Sequence, residues 1–228
     1  MTSDSAARPA RSEAPDLVDR LGALYTAVVA DCLDGLGARR QVMGSQIRPL
    51  DPAMRLAGRA VTLELAFVDA PPADPRDNYR KELEAVAALE PADVLVASTC
   101  HGSFWGELLA TASRARGAHG VIADAYTRDT SMLVEMGFPT FVAGVNAEDS
   151  LGRLEVTAIG IPISCAGVRV HTGDLVLADR DGVVVLPSAL AAQAIEAAEN
   201  KVSREDGMRD ALAAGMPVTE AFRRFKVL

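Results

Sequence analysis

The chain has 228 residues, of which 49% are hydrophobic, 24% are charged and only 4% are aromatic. This composition is typical of a globular protein large enough to bury a core, which must consist mainly of Ala, Val, Leu and Ile. The net charge of −8 argues against nucleic acid or an anionic membrane surface as the partner, and no apolar run approaches the roughly 20 residues of a membrane span.

The N-terminal segment, residues 1–15, is polar and rich in Ala, Pro and Ser, with no apolar stretch. We interpret it as a disordered lead-in and not as a signal peptide, and we place one domain over residues 16–228. Cys32, Cys100 and Cys165 are odd in number, widely spaced and set in apolar surroundings. They predict buried free thiols, which are typical of a reducing cytoplasm, and we therefore expect a cytoplasmic protein.

The first third of the domain predicts helices and one long strand. Apolar spacing with a helical period covers residues 16–36, and alternation rich in β-formers predicts a strand over 59–67. The prolines of residues 70–77 predict a loop, which a helix over 78–89 follows.

The middle of the chain predicts parallel strands joined by helices. Residues 93–99 form a short apolar run typical of a buried strand, after which Gly102, Ser103 and Gly106 predict a tight loop that opens a helix near 106–116. A strand, a short helix and a third strand follow at 120–125, 131–137 and 140–145. Strands that alternate with helices in this way favour a parallel sheet.

The remainder predicts a β-rich half and then C-terminal helices. Residues 161–187 contain short strands separated by Gly-containing turns, and helical spacing returns from Ser188 onward. There is no internal repeat and no linker, so the sequence predicts a single α/β domain.

Several kinds of chemistry lack the residues that they need. A Schiff-base enzyme requires a lysine in an apolar site, but the three lysines, at positions 81, 201 and 226, lie in polar helical or terminal segments. Nucleophile-elbow, phosphate-loop and zinc motifs are also absent. His101 lies near the Gly-rich loop, where it is a candidate ligand contact or an ordinary loop histidine.

Two polar loops remain as candidates for a site, because both follow strands of the predicted parallel sheet. The carboxyl ends of such strands lie at one edge, where open α/β sheets bind ligands. The helix start at Gly106 offers free N–H groups for an anion, and Arg128 offers a planar cation. Glu107 and Asp129 are oxygen ligands of the kind that Mg²⁺ or Mn²⁺ prefers.

Each of these residues also has a purely structural interpretation. Glu107 in a first helical turn is favourable for the helix dipole alone. Asp129 could cap the helix that follows it, and Arg128 could be a solvated loop residue. The residues by themselves leave both interpretations open.

The segments "GELLATASRARGAHGVIADAYTRD", "MGFPTFVAGV" and "GVRVHTGDLVLADRDGVVVLP" resemble the RraA-like family. The resemblance extends from about residue 18 to Leu228, and the spaced pair of G-E-L-L and R-D is its most specific part. This family contains class II 4-hydroxy-4-methyl-2-oxoglutarate / 4-carboxy-4-hydroxy-2-oxoadipate aldolases and a bacterial regulator of ribonuclease E activity.

The resemblance implies a β/β/α swivelling-domain fold that assembles as a homotrimer or a dimer of trimers. It also implies that the substrate carboxylate binds the backbone N–H groups at the start of the helix near 106–116, namely those of Gly106, Glu107, Leu108 and Leu109.

The resemblance assigns further roles to four side chains. Arg128 would hold the keto oxygen of the substrate, and Asp129 would be the direct ligand of a divalent cation, Mg²⁺ or Mn²⁺. Glu107 would hold water on that cation, and Glu205 would be supplied by a neighbouring subunit. Arg128, Glu107 and Glu205 are thus the expected catalytic residues.

The chain departs from the family pattern at two positions. Ala125 and Ala166 stand where the family usually has glycine, and the first could re-aim the loop before Arg128. We expect a metal-dependent lyase that cleaves a carbon–carbon bond of a small 2-oxo acid and also decarboxylates oxaloacetate. The alternatives are a ribonuclease-regulating trimer without catalysis, and a sugar-acid lyase or dehydratase on the same scaffold.

Overall fold

The computed structural model describes residues 14–227. Residues 1–13, and with them most of the predicted lead-in, lie outside this described part, and the first helix begins at Ala14. The helices are α1 (Ala14–Gly22), α2 (Thr26–Gly35), α3 (Arg80–Ala87), α4 (Glu107–Ala115), α5 (Thr130–Met136), α6 (Ala191–Ala213) and α7 (Val218–Phe225), with a 3-10 turn at Pro75–Asp77. The strands are β1 (Arg48–Pro49), β2 (Leu56–Phe67), β3 (Asp93–Ala97), β4 (Ser103–Trp105), β5 (Gly120–Thr127), β6 (Thr140–Val145), β7 (Leu154–Ile159), β8 (Ile163–Cys165), β9 (Val168–Val170), β10 (Leu175–Asp179) and β11 (Gly182–Leu186).

Nine of these strands form one mixed sheet, whose order is β1-β6-β5-β3-β2-β10-β11. The strands β2, β3, β5 and β6 are mutually parallel, which confirms the predicted alternation of strands and crossover helices over residues 93–145. β4 adds to β5 in parallel and β7 adds to β2 in antiparallel. All five residues of β3 are buried, since the strand has neighbours on both sides and packing on both faces.

The two ends of the sheet come close together, which gives the sheet a nearly closed, barrel-like form. Val42 forms a bridge with Val184 of β11, and the Arg48 guanidinium donates to the carbonyl oxygens of Arg180 and Asp181. The β8–β9 hairpin contributes Ile163, Cys165, Val168 and Val170 to the core on this side.

The helices cover the sheet in two groups. α3, α4 and α5 bury their apolar side chains against β2, β3, β5 and β7. α1, α2 and the first half of α6 pack together against β10 and β11. None of the helices within residues 14–227 is both long enough and apolar enough to cross a membrane.

Three short strands were not predicted from the sequence. The sequence analysis did not predict β1 and β7. The predicted tight loop over 102–106 was wrong, because Ser103–Trp105 forms β4 and pairs with the end of β5. Trp105 is only 1% exposed, so burial of its ring holds this segment against the sheet. The third helix starts at Arg80 and not at Asn78, since Tyr79 has a left-handed backbone with φ of 57°.

The cysteines are free thiols, as predicted. Cys100 and Cys165 are buried, whereas Cys32 is partly exposed, which corrects the expectation for that residue.

Candidate active site

A cavity of about 290 Å³ opens beside the carboxyl ends of β4 and β5, between α3 and α4. A neighbouring cavity of about 340 Å³ is larger, but it does not contain the predicted site residues. The smaller one contains five of the seven, Gly106, Leu108, Leu109, Arg128 and Asp129, so we take it as the candidate site. It is lined by Tyr79, Glu82, Leu83, Ser103, Phe104, Trp105, Gly106, Leu108, Leu109, Arg128, Asp129, Glu148, Asp149 and Ser150.

Gly106 immediately precedes α4 and lies in contact with Asp129. A Cβ atom added to Gly106 would come within 2.8 Å of Asp129 Oδ2, so only glycine permits this approach. The backbone N–H of Glu107 donates to the same oxygen at 3.2 Å. The start of α4 and the loop after β5 are thereby joined at one carboxylate.

Asp129 occupies the cap position of α5 without acting as a cap. Its backbone is left-handed, with φ of 56°, and its side chain makes no capping hydrogen bond to α5. The carboxylate turns instead toward α4. The capping interpretation is therefore wrong. Strained backbone of this kind in a non-glycine residue is typical of functional positions.

Arg128 lies beside two carboxylates, although its side chain remains 39% exposed. Its Nε lies 3.8 Å from Asp129 Oδ2, and its Nη1 lies 3.3 Å from Asp149 Oδ1. The Tyr79 hydroxyl donates to the other Asp149 oxygen at 2.7 Å. The contacts from Tyr79 through Asp149 place a carboxylate beside the Arg128 guanidinium at the cavity.

The same contacts set the charge of Asp149. Burial by itself would raise the pKa of this carboxyl, but the hydrogen bond from Tyr79 and the charge of Arg128 outweigh burial and leave the pKa below its ordinary value. Asp149 is therefore an anion across the neutral range. Burial, together with the bond to Asp149, raises the pKa of Tyr79 to about 12, so its hydroxyl keeps its proton.

Glu107 lies at the start of α4, as predicted, and its carboxylate accepts a hydrogen bond from Thr111 Oγ1 at 2.7 Å. Leu108 and Leu109 line the cavity one and two residues further along. The first turn of a helix has N–H groups without intrahelical partners, so this end of α4 suits an anionic ligand.

Two of the predicted residues, Glu107 and Glu205, do not line the cavity. Glu107 adjoins the cavity at the start of α4, whereas Glu205 belongs to a helix on another part of the fold. It lies on α6, where its carboxylate contacts the Tyr25 hydroxyl and, at 3.6 Å, Lys201 Nζ. α6 packs against α1 and α2, whereas the cavity is lined by α3, α4 and loops of the parallel sheet. A role for Glu205 in the site would need a second copy of the chain.

His101 is not a cavity residue. Its ring stacks on Tyr126 with centroids 6.0 Å apart, and its Nε2 lies 3.6 Å from Asp124 Oδ1. Asp124 in turn accepts hydrogen bonds from Thr99 Oγ1 and the Ala166 backbone N–H, so this cluster holds the β8–β9 hairpin in place.

The two alanines noted in the sequence lie near that cluster. Ala166 and Gly167 form the two-residue turn of the hairpin, with φ of 47° and 83°, a conformation that glycine would adopt with less strain. Ala125 is fully buried within β5, at the point where the pairing of β5 with β6 shifts its register. Neither alanine lines the cavity.

Three functional candidates were missed by sequence reasoning: Tyr79, Glu82 and Asp149. Asp149 follows β6, a third parallel strand. Loops that follow parallel strands meet at one edge of the sheet, so the argument used for residues 93–129 also applies to Asp149. Tyr79 and Glu82 were assigned to an amphipathic helix, and no local signal separates them from the other polar residues of that segment.

The expected metal site depends on one carboxylate. Across residues 14–227 no group of three or more His, Cys, Asp or Glu side chains is arranged to hold a metal ion. Asp129 is the sole expected ligand within the cavity that comes from the protein, so a cation there would complete its shell with water and substrate.

A family model described as Aldolase/RraA matches residues 26–185, well over half of the chain. The chain belongs to the RraA-like family. This membership accounts for the G-E-L-L and R-D segments that meet at Gly106 and Asp129.

Relatives of this RraA-like chain include proteins and solved structures of nearly the same length. A Halalkalibacterium halodurans protein, named as a candidate 4-hydroxy-4-methyl-2-oxoglutarate aldolase, is 26% identical over 91% of this chain and 93% of its own length. The structure of Streptomyces coelicolor RraAS2, described as an unusual member of the RNase ES inhibitor RraA protein family, has a TM-score of 0.75 at 27% identity. It matches 87% of this chain and 98% of that one.

An uncharacterized protein from Pseudomonas syringae has a TM-score of 0.78 at 25% identity, matching 93% of this chain and 99% of its own. These likenesses confirm the predicted RraA-like fold, with its β-rich half and C-terminal helices.

Proposed function

We propose that the protein is a divalent-metal-dependent lyase that cleaves a carbon–carbon bond of a small 4-hydroxy-2-oxo acid and releases pyruvate. The observation that carries the proposal is the meeting of Arg128, Asp129 and the start of α4 at one cavity. A guanidinium, a carboxylate and backbone N–H donors around one cavity support the binding of a small dicarboxylate there.

The residues present fit a hydrated Mg²⁺ or Mn²⁺. Mg²⁺ commonly keeps several water molecules and binds through one or two carboxylates together with the substrate. Asp129 supplies such a carboxylate, since only its Oδ2 atom is engaged by the Glu107 N–H. When bound, the cation would act as a Lewis acid on the 2-oxo acid group.

The protein groups have separate roles in this proposal. The N–H groups at the start of α4, other than that of Glu107, which donates to Asp129, bind the substrate's C1 carboxylate. Arg128 binds the C2 keto oxygen, on which negative charge develops as the bond breaks. Asp149 and Tyr79 keep the guanidinium oriented, and they do not themselves contact the reacting atoms. Glu107 orients water at the mouth of the cavity.

The same site should also decarboxylate oxaloacetate as a side activity. Loss of CO₂ from oxaloacetate and retro-aldol cleavage both produce the enolate of pyruvate, so donors that stabilise this enolate serve both reactions. A sugar-acid lyase or dehydratase would use the same enolate chemistry on a longer substrate. The name of the Halalkalibacterium relative supports the shorter 2-oxo acid.

The second candidate function is regulation of a ribonuclease, and the likeness to RraAS2 favours it. A regulator has no need of oriented catalytic groups. The contacts that join Tyr79, Asp149 and Arg128 at the cavity therefore support the catalytic proposal over this one.

The test is a panel of 2-oxo acids scored by pyruvate release. We expect activity on a 4-hydroxy-2-oxo diacid and on oxaloacetate, loss of both after EDTA treatment, and recovery with Mg²⁺ or Mn²⁺. Full activity in the chelated protein would contradict metal dependence. A protein inert toward the entire panel, with Mg²⁺ present, would favour the regulator.

A further inference from the structure

Glu82 is a buried carboxyl group inside the candidate cavity that the proposed roles leave unused. The residue is 5% exposed, and its Oε1 atom has no hydrogen-bond partner. The indole Nε1 of Trp105 is likewise buried without a partner, and Trp105 is also among the residues that line this cavity. A buried polar atom without a partner is costly, so two such residues around one cavity favour a polar ligand there.

The surroundings of Glu82 suit proton transfer at neutral pH. Burial, and to a lesser degree the charge of Asp149, raise the pKa of Glu82 to about 7, whereas Arg128 acts in the opposite direction. An acid–base group works best when its pKa lies near the working pH. The other polar groups near α3 are fixed elsewhere, since Lys81 binds the Thr157 carbonyl, Tyr79 binds Asp149 and Glu107 accepts from Thr111.

The other carboxylates of the cavity are already engaged. Asp129 accepts from the Glu107 N–H, Asp149 is bound by Tyr79 and Arg128, and Glu148 accepts from Asn146 Nδ2 at 2.9 Å. Only Glu82 combines burial, a position in the cavity and an unpartnered oxygen.

We infer that Glu82 is the proton-transfer residue of the retro-aldol reaction, supplied by the same chain as Arg128 and Asp129. The inference rests on the proposed function. The Glu82 carboxylate takes the proton of the substrate's C4 hydroxyl while the C3–C4 bond breaks. The C3–C4 electron pair forms the pyruvate enolate, and C4 leaves as the carbonyl carbon of the second product. The same proton then returns to C3, which gives pyruvate and restores the carboxylate.

This assignment separates the two proposed reactions. Retro-aldol cleavage requires removal of the hydroxyl proton, whereas oxaloacetate loses CO₂ without any prior proton removal. Glu82→Gln keeps the size and the hydrogen-bonding capacity of the side chain but cannot accept the proton. It should therefore impair the first reaction far more than the second.

The experiment measures kcat for both reactions in the wild type, Glu82→Gln and the matched control Glu84→Gln, which changes an exposed residue of the same helix. We expect Glu82→Gln to reduce retro-aldol turnover about 10²- to 10³-fold, as for other acid–base groups, and decarboxylation less than about 10-fold. The wild-type retro-aldol rate should rise with pH as Glu82 loses its proton near neutrality. The decarboxylation rate should not show this rise. Thermal unfolding and pyruvate binding establish that the variant is folded and its site is formed.

Equal loss of both reactions in Glu82→Gln would show a positioning role and overturn the inference, as would normal retro-aldol turnover. Either result leaves the proposed function standing, because the wild type is active. A wild type that is inert toward both substrates removes the proposed function, and the inference with it.

Discussion

Arg128 lies between two carboxylates, and this position decides what its guanidinium can do. The contacts with Asp129 and Asp149 use Nε and Nη1, at 3.8 and 3.3 Å. The planar guanidinium is not buried, since the Arg128 side chain is 39% exposed. A lysine at this position would have one point charge and no fixed plane.

Replacing Arg128 by alanine should reduce pyruvate-forming turnover on the order of 10²–10³-fold, as for the removal of other single donors that stabilise developing charge. Lysine should restore little of this activity, because an ammonium group cannot engage Asp149 and the keto oxygen in one plane. The measurement is kcat for Arg128→Ala and Arg128→Lys, with Arg169→Ala, which changes the exposed residue of β9, as the control. An alanine variant with nearly normal turnover would return Arg128 to a structural role.

Glu82 should make stability depend on pH. Its pKa is raised to about 7 from an ordinary 4.5, so the folded protein favours the neutral acid. The stability that this group contributes is fully present below about pH 4.5 and is lost as the pH rises toward 7. Between pH 5 and pH 8 the wild type should lose about 2 kcal/mol that Glu82→Gln does not lose.

Urea unfolding of the wild type and Glu82→Gln at the two pH values measures this difference directly. Other titrating groups are common to both proteins and cancel in the comparison. A gap in unfolding free energy that is the same at pH 5 and pH 8 would mean that Glu82 titrates normally. This test does not depend on any catalytic activity.

At the scale of elements, the site is formed where α4 begins and the loop after β5 ends. β4 pairs with the end of β5, and the Arg128 backbone N–H donates to the Trp105 carbonyl at 3.0 Å. These bonds bring Gly106 against Asp129, whose left-handed backbone directs the carboxylate to α4. The element boundaries, and not a flexible loop, position the charged groups.

Gly106→Ala should therefore reduce activity with little effect on stability. The new Cβ would meet Asp129 Oδ2 at 2.8 Å, and the end of a short side chain can move away at small cost. A displacement approaching 1 Å at a reacting centre can reduce turnover about 10²-fold. Turnover, Mg²⁺ titration and thermal unfolding check this, with Gly35→Ala, where a Cβ has open space, as the control. Unchanged turnover and Mg²⁺ response would show that Asp129 does not need its present position.

At the scale of the whole molecule, Glu205 and the cavity belong to different parts of one chain. Glu205 lies with Tyr25 and Lys201 on the side of α2 and α6. Burial and the bond with Glu205 raise the pKa of Tyr25 to about 12, so the Tyr25 hydroxyl keeps its proton at neutral pH. α7 exposes Val218 and Phe222, apolar side chains that contact between subunits would remove from water. We propose a homotrimer or a dimer of trimers in which Glu205 completes the cavity of a neighbour.

Shared sites predict complementation between inactive variants. Asp129→Ala and Glu205→Gln should each be inactive alone, and mixing them under conditions that exchange subunits should restore part of the activity. Mixed assemblies would contain some sites with both residues intact. The check is pyruvate release before and after exchange, with Asp129→Ala mixed with Arg128→Ala as the control, since both of these changes affect the same side of the site. A fully active monomer by light scattering would exclude the shared site, although the roles of Arg128 and Asp129 would stand.

The sequence alone determined the alternation of β3, α4, β5, α5 and β6, because apolar runs and the glycines that end helices are local signals. It also determined that Gly106, Arg128 and Asp129 meet, since parallel strands direct the loops that follow them to one edge. Only the tertiary structure decided the short strands β1, β4 and β7, because two to six residues form a strand only when a partner edge is present. The raised pKa of Glu82 and the contact between Arg128 and Asp149 belong to this second group. The pKa depends on burial and on the charge of Asp149, and the contact depends on the same residue, which is distant in sequence and which the fold brings close to both.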